Sequence, residues 1–136
     1  MPYYVVFDTN VLVSSLISSH DDSATVLIIQ KLLSEEIIPL YNVDILNEYN
    51  DVLSRKKFNF NQERVQTLLQ AIKERGILVD TIQNSIELND SDDKPFFDVF
   101  ITFQTENTYL VTGNLKHFPN NPSIVSPKQL IDVLSK

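Results

Sequence analysis

The apolar and polar positions along the chain form short blocks that predict strands alternating with helices. The first block, residues 3–7, is an unbroken run of β-branched and aromatic residues, which is typical of a strand buried on both faces in a parallel sheet. Comparable apolar runs predict further strands at 37–41, 77–79, 109–112 and 123–125. Between them, apolar residues recur three and four positions apart, which predicts helices at 11–17, 24–33, 45–53, 65–72, 93–104 and 127–134.

Polar residues and a glycine mark where several of these helices begin and end. Asn42 or Asp44 can cap the third helix, and Asn59 or Asn61 can cap the fourth. Gly76 follows the fourth helix, where we expect it at C′, a position that commonly ends a helix in the left-handed conformation. Strands that alternate with helices predict an α/β fold: a three-layer α/β/α sandwich around a mostly parallel sheet of four to five strands.

The size and composition fit a single domain that covers residues 1–136. The chain has 136 residues, of which 43% are hydrophobic and 21% are charged, and this is enough to bury a substantial core. We find no cysteine, no apolar run long enough to cross a bilayer and no secretion signal. We therefore expect a cytoplasmic protein without a membrane partner.

The charge of the chain is acidic overall but unevenly distributed. A formal net charge of −7 argues mildly against a nucleic-acid binder, since phosphate contacts need clustered lysine and arginine. Five of the eighteen acids fall within residues 87–98, however, and Arg55, Lys56 and Lys57 form the one basic run. Acid that is concentrated at one place can serve as a metal cage.

Polar residues follow two of the predicted strands at their C-terminal ends. Asp8, Thr9 and Asn10 come directly after the first strand, and Thr112 and Asn114 lie at the end of the fourth. In open parallel sheets, ligands bind beyond the C-terminal ends of the strands. We therefore expect these side chains to converge on one crevice.

Each candidate also has a plain structural explanation when it is considered alone. Asp8 can cap the following helix, and Glu48 can lie on a solvated helix face. Acids before a helix favour its dipole, and polar residues after a strand are ordinary in turns; these explanations apply to Asp90, Asp92, Asp93, Thr112 and Asn114. His20 and His117 are more typical of surface histidines than of general bases.

Considered together, the acids indicate a metal site made of oxygen ligands. Asp8, Glu48 and Asp93 come from separate segments, and no histidine or cysteine cluster accompanies them. Hard oxygen ligands suit Mg²⁺ or Mn²⁺. Such ions activate water and stabilise charge on a phosphate during in-line hydrolysis. Without a cation, closely packed carboxylates raise one another's pKa.

Four segments resemble the motifs of the PIN-domain family of Mg²⁺/Mn²⁺-dependent ribonucleases. They are FDTNVLVSSL, NEYNDVLSR, DSDDKPFF and YLVTGN, and they span nearly the whole chain. The resemblance implies that Asp8, Glu48 and Asp93 are the catalytic, metal-binding carboxylates, with Asp90 as the alternative in register to Asp93. It also places Asn114 at a metal position where an aspartate is common, so the site carries one negative charge fewer.

Further residues surround this predicted site. Thr9, Asn10 and Thr112 are expected to orient the ligands or the phosphate. Asp98, one turn beyond Asp93, supplements the cage if it faces inward. Bulky aromatics at 96–103 depart from the small and aliphatic residues usual in the family, and we expect them in the core. Candidates for contacts with the RNA backbone are Arg55, Lys56, Lys57 and Lys116.

The chain most resembles the toxin branch of the family, the nuclease halves of bacterial and archaeal toxin–antitoxin pairs. That branch implies an endoribonuclease acting on RNA, inhibited by a cognate antitoxin protein and commonly homodimeric. Two other interpretations stay open. Asn114 and the net charge of −7 favour a PIN-fold binding protein that has lost catalysis. Asp8 could instead be the nucleophile of an aspartyl-phosphate enzyme, although that family has a second aspartate where this chain has Asn10.

Overall fold

The computed structural model describes residues 2–18, 23–81 and 91–136, and strands alternate with helices there as the sequence predicted. The strands are β1 (Tyr3–Phe7), β2 (Ile37–Tyr41), β3 (Ile77–Leu78), β4 (Thr108–Val111) and β5 (Ile124–Val125). The helices are α1 (Thr9–Ile17), α2 (Ala24–Leu33), α3 (Val43–Leu53), α4 (Gln62–Arg75), α5 (Lys94–Thr102) and α6 (Pro127–Leu134). Short 3₁₀ turns lie at Ser91–Asp93 and Leu115–His117.

The five strands form one parallel sheet in the order β3-β2-β1-β4-β5. β1 is central, and its Val6 pairs with Leu40 of β2 and Leu110 of β4. From the central β1, strands β2 and β3 extend the sheet to one side, and β4 and β5 extend it to the other. The strand order therefore reverses between β1 and β4. Ligand crevices in open α/β sheets lie at such a switch point.

Helices cover the sheet and complete the α/β/α sandwich. α5 packs against β1, β2 and β4, while α2 and α4 pack against β2 and α6 packs against β5. Val5 and Val6 are fully buried although neighbouring strand residues point to opposite faces, so β1 is covered on both sides. The α5 aromatics Phe96, Phe97 and Phe100 are buried, as expected of core residues. None of the helices in the described ranges combines the length and apolar character needed to span a membrane.

Asparagine side chains begin two helices where the sequence offered a choice. The Oδ1 of Asn42 accepts a hydrogen bond from the N–H of Ile45 at 2.8 Å, so Asn42 rather than Asp44 caps α3. The Oδ1 of Asn61 accepts hydrogen bonds from two amides in the first turn of α4, so Asn61 rather than Asn59 caps that helix. Each cap stabilises its helix by about 1 kcal/mol relative to alanine.

Several predicted boundaries were wrong by one or two residues. α1 begins at Thr9 instead of residue 11, because Asp8 already has the extended backbone of an N-cap residue (φ −63°, ψ 142°). α5 follows a 3₁₀ turn and ends at Thr102 instead of residue 104. It ends there because Phe103 leaves the helical conformation (φ −108°, ψ 82°) and its ring packs against Tyr4 with centroids 5.1 Å apart.

Gly76 ends α4, but not in the left-handed conformation that we expected. Its backbone is extended, with φ −91° and ψ 178°. An added Cβ would lie 2.4 Å from the carbonyl oxygen of Ile72 and 2.6 Å from that of Pro39. Glycine is therefore required because the last turn of α4 and the backbone of β2 together leave no room for a Cβ.

Candidate functional site

Asp8 lies at the switch point of the sheet, where β1 ends and α1 begins. It is only 5% exposed, and it occupies the N-cap position of α1 without accepting a capping hydrogen bond. Its Oδ2 instead accepts a hydrogen bond from the Oγ1 of Thr112 at 2.7 Å and another from the Nδ2 of Asn10 at 3.2 Å. Side chains therefore hold this carboxylate in place of a regular helix cap, although the amides of Thr9 and Asn10 also favour its charged form.

Side chains join the ends of β1 and β4 around Asp8. The hydroxyl of Thr112, which is fully buried, also accepts a hydrogen bond from the N–H of Asn114 at 3.0 Å. The Oδ1 of Asn10 accepts a hydrogen bond from the N–H of Gly113 at 3.1 Å. Thr112 and Asn10 are thus each held by the chain that follows β4, and together they fix the Asp8 carboxylate.

Glu48 lies on α3 and is half-buried against the start of α1. Its Oε2 accepts a hydrogen bond from the Oγ1 of Thr9. The hydroxyl of the next residue, Tyr49, donates to the carbonyl oxygen of Phe7 at the end of β1. Complete burial raises the pKa of Tyr49 well above its ordinary value, so this hydroxyl stays protonated. These two bonds tie α3 to the β1–α1 junction and bring Glu48 to the Asp8 region.

Burial disfavours the charged form of Asp8. It raises the pKa of Asp8 above its ordinary value, although the hydrogen bond from Thr112, the first amides of α1 and the charge of His117 act in the opposite direction. The Asp8 carboxylate is thus partly, but not fully, compensated by its surroundings.

Glu48 carries the clearest sign of crowded negative charge. Burial raises its pKa, the hydrogen bond from Thr9 lowers it, and the charges of Asp8, Asp92 and Asp93 raise it again. Acids from two other segments of the chain therefore act on the Glu48 carboxylate. Glu48 on α3 thus lies close enough to Asp8 and to the turn at residues 91–93 for their charges to act on it.

Sequence reasoning missed the contact between His117 and Asp93. The Nδ1 of His117, in the 3₁₀ turn after β4, lies 3.0 Å from the Oδ2 of Asp93. The Asp93 side chain is mostly buried, whereas the His117 ring is 41% exposed. The only available signal was that both residues border elements at the same edge of the sheet, because the turn geometry that joins them has no sequence pattern.

Asp98 faces inward but is paired with a cation. It is 8% exposed, and its Oδ1 lies 3.1 Å from the Nζ of Lys94, one helical turn earlier. The Lys94 ammonium offsets the Asp98 charge, which distinguishes this acid from Asp8 and Glu48.

Asn114 reaches the same edge of the sheet without bonding to the acids. It is exposed, and within the described residues no hydrogen bond joins its side chain to Asp8, Glu48 or Asp93. It lines a small cavity of about 180 Å³ together with Asn10 and other residues. Asp90 and His20 lie outside the described residues.

The basic residues expected to contact RNA lie on the surface. Arg55, Lys56 and Lys57 follow the end of α3 and are exposed, and a terminal nitrogen of Arg55 lies 3.1 Å from the Oδ2 of Asp51. Lys116 is exposed in the turn that carries His117.

The acids are ligands of the type that divalent cations prefer, but their side chains do not form a complete metal site. Within residues 2–18, 23–81 and 91–136, no three side chains of His, Cys, Asp or Glu are grouped closely enough to hold a metal ion. The carboxylates of Asp8, Glu48 and Asp93 are nevertheless the oxygen ligands that Mg²⁺ and Mn²⁺ prefer. A cation near Glu48 would also reduce the repulsion that raises its pKa.

Comparison with known families agrees with this arrangement. A family model described as a PIN domain matches residues 4–116, a range that runs from β1 into the turn after β4 and contains Asp8, Glu48 and Asp93. No curated protein and no solved structure matches the chain. PIN domains are generally nucleases, and these nucleases typically use divalent metals. The match covers most of the chain, and the parallel sheet agrees with it, so the chain belongs to the PIN-domain family.

Proposed function

We propose that this protein is a Mg²⁺- or Mn²⁺-dependent endoribonuclease that acts as the toxin of a toxin–antitoxin pair. Its PIN domain is a nuclease-type fold. The observation that carries the proposal is the meeting of Glu48 with Asp8 and the acids of the turn at residues 91–93: burial raises the pKa of Glu48, and the charges of Asp8, Asp92 and Asp93 raise it further. Carboxylates that destabilise one another at a sheet-edge crevice are typical of functional sites.

Three carboxylates and one amide are the proposed ligands. Asp8, Glu48 and Asp93 would hold the cation, and Asn114 would contribute its amide oxygen, directly or through water. When bound, a divalent cation supplies positive charge that stabilises the scissile phosphate and lowers the pKa of water.

The chain's own hydrogen bonds position these ligands. Thr112 and Asn10 hold Asp8, while Thr9 holds Glu48. His117 contacts Asp93 from the turn after β4. Partners of metal ligands typically contribute 10- to 100-fold to metal affinity or activity, so we expect losses of about that size when one is removed.

Cleavage of a labelled single-stranded RNA tests the catalytic part of the proposal. We expect the purified protein to cleave this RNA with Mn²⁺ and the Asp8→Asn variant to lose cleavage. Asparagine keeps an oxygen that can accept the hydrogen bond from Thr112, so the fold should persist, and a thermal unfolding curve checks this. Asp132→Asn, at an exposed position on α6, is the matched control and should cleave normally. Equal cleavage by Asp8→Asn and the wild type would contradict the assignment.

The toxin role, the antitoxin and a homodimer rest on the resemblance of the motifs to the toxin branch. Expression of the wild type is expected to arrest cell growth, whereas Asp8→Asn should not. A neighbouring antitoxin gene expressed together with the wild type should restore growth. Growth arrest by both forms would show that toxicity does not come from this site.

A PIN-fold binding protein without catalysis is the second candidate function. It is favoured by the net charge of −7, by Asn114 in place of an acid and by the absence of a group of three metal-ligating side chains among the described residues. Titration with Mn²⁺ separates the two candidates. A nuclease should bind Mn²⁺ saturably and be stabilised by it against heat, and a degenerate site should show neither effect.

A further inference from the structure

The segment between α3 and α4 carries a stacked pair of aromatic rings. The rings of Phe58 and Phe60 are parallel to within 4°, and their centroids lie 5.1 Å apart. Phe60 packs against the hydrophobic core and anchors the pair, and Phe58 is the outer, half-buried ring. The Nζ of Lys57 lies 5.1 Å from the centroid of Phe58. Aromatic faces of this kind attract cations and stack with other rings.

Local backbone structure holds the pair in place. Asn59, between the two rings, has a positive φ of 51°, a left-handed conformation that asparagine tolerates better than most residues. The N–H groups of Phe58 and Asn59 donate to the carbonyl oxygens of Arg55 and Lys56 at 3.2 and 3.1 Å. The stack is therefore formed before any ligand arrives, which lowers the cost of binding.

Positive charge surrounds the stack in an otherwise acidic protein. Arg55, Lys56 and Lys57 are exposed beside it, and both rings and Arg64 line a cavity of about 370 Å³. Within the described residues, Arg55 is the one of these four cations that forms an ion pair, with Asp51. Basic side chains next to aromatic rings are the combination that binds single-stranded nucleic acid.

Helix α1 connects this cavity to the acidic site. Its first residue, Thr9, bonds to Glu48, and its last residues, Leu16 and Ile17, line the cavity below the stack. The nine residues of α1 extend over roughly 13 Å, the axial length of about four nucleotides in a helical strand. The two ends of α1 are therefore separated by a distance that a few nucleotides span.

We propose that the aromatic platform, formed by Phe58 and Phe60 with Arg55, Lys56 and Lys57, binds single-stranded RNA a few nucleotides from the acidic site. A base stacks on Phe58 in the place where the Lys57 ammonium lies, and the displaced Lys57 and Lys56 contact the neighbouring phosphates. Bases within a duplex have their faces covered, so the platform selects unpaired regions. This inference rests on the proposed function, because it defines the substrate of the same site.

Binding without cleavage tests the platform directly. Affinity for a fluorescent single-stranded RNA is measured in EDTA, with every variant built on Asp8→Asn. Phe58→Leu keeps an apolar side chain but removes the ring, and we expect it to weaken binding about 5- to 150-fold. Phe58→Trp should retain affinity. Because the chain has no other tryptophan, its fluorescence reports stacking and should be quenched by the RNA.

The lysines have a separate readout in the salt dependence of binding. Lys56→Ala combined with Lys57→Ala should reduce the slope of log K against log salt by about 1.4, since two phosphate contacts on a single strand are lost. The matched control removes two exposed lysines elsewhere, Lys73 and Lys136, and should leave the slope unchanged.

Each outcome bears on one proposal or the other. Unchanged affinity of Phe58→Leu, unquenched Phe58→Trp at saturation, equal affinity for a duplex, or no RNA binding at all would each overturn the platform. If RNA binding depends on Phe58 but the wild type with Mn²⁺ never cleaves RNA, the platform stands and the nuclease assignment fails. If the wild type cleaves RNA but Phe58→Leu binds RNA normally, the nuclease assignment stands and the platform fails.

Discussion

At the scale of single residues, uncharged hydrogen-bond donors hold Asp8, at the β1–α1 junction, and Glu48, which contacts that junction from α3. Asp8 accepts hydrogen bonds from Thr112 and Asn10, and Glu48 accepts one from Thr9. A hydroxyl or an amide fixes the orientation of a carboxylate without cancelling its charge. Asp98, whose charge is offset by Lys94, is therefore less suited to attract a cation than Asp8 or Glu48.

Burial of Glu48, together with the acids that crowd it, should make its charged form destabilising in the metal-free protein. Its pKa is raised in the folded state, so the folded protein binds this proton more tightly than the unfolded chain does. The resulting stabilisation is complete below the unfolded pKa, about 4.5, and is lost as the pH rises through the raised folded value. We therefore expect Glu48→Gln to have a higher Tm than the wild type at pH 7 in EDTA, with the difference shrinking towards pH 4.

Thermal unfolding between pH 4 and pH 8 measures this difference. Glu106→Gln, at an exposed position, is the control and should follow the wild type at every pH. A Glu48→Gln variant that is less stable than the wild type at pH 7 without metal would show that crowding does not govern this carboxylate.

Single residues also show which parts of the site could be predicted from the sequence and which could not. Asp8 was identifiable because a charge directly after a buried apolar run is conspicuous. The role of His117 was not identifiable, because its contact with Asp93 depends on a short turn, and no periodic pattern in the sequence reveals the conformation of that turn. The sequence likewise drew attention to the basic run at Arg55 but not to the stacking of Phe58 on Phe60, which depends on one left-handed residue between them.

At the scale of elements, local patterns determined most of the structure in advance. The bounds of β1, α2, β2 and α6 agree with the predictions, because each strand is an unbroken apolar run, each helix has regularly spaced apolar residues, and polar residues follow each element. Gly76 behaved differently. A glycine after a helix suggests a left-handed turn, but here the backbone is extended. A Cβ would meet one carbonyl oxygen in the last turn of α4 and another in β2, and the second is a tertiary contact that no local pattern contains.

The junction of α4 and β2 should not tolerate even a methyl group. Gly76→Ala would place its Cβ against two backbone carbonyl oxygens, which cannot rotate away, and we expect a loss of about 1–3 kcal/mol in the free energy of unfolding. Gly113→Ala is the matched control, because the nearest atom to its Cβ is the Oδ1 of Asn10 at 3.4 Å. Its effect should stay within about 0.5 kcal/mol.

Urea denaturation of both variants measures these free energies. Equal stability of Gly76→Ala and Gly113→Ala would mean that the contact between α4 and β2 relaxes without cost.

At the scale of the whole molecule, the order of strands assembles the site. Strand–helix alternation predicted the parallel sheet, and a parallel sheet requires that the residues after β1 and β4 meet at one edge. That much followed from the sequence because it depends on topology alone. The distances between side chains did not, and Asn114 is the example: it reaches the right edge but remains exposed and does not bond to the carboxylates.

The Thr112 hydroxyl and the Asn10 amide each link the chain after β1 to the chain after β4 at this edge of the sheet. Thr112→Val keeps the shape but removes the donor to Asp8 and the acceptor for the Asn114 amide. We expect a loss of about 1–3 kcal/mol in stability from unsatisfied buried groups, and a 10- to 100-fold loss in Mn²⁺ affinity.

Thr112→Ser retains the hydroxyl and should keep its metal affinity while losing about 0.8 kcal/mol of stability with the missing methyl group. Calorimetric titration with Mn²⁺ compares the two variants. If both lose affinity equally, the bond to Asp8 does not position the ligand.

The same bond has a consequence for how the protein is made. Asp8 and Thr112 are 104 residues apart, and a growing chain leaves the ribosome from its N-terminus. Until β4 has been synthesised, β1 lacks one of its two neighbouring strands and Asp8 lacks its buried donor. The site around Asp8 therefore stays unassembled while the residues that separate it from Thr112 are being synthesised.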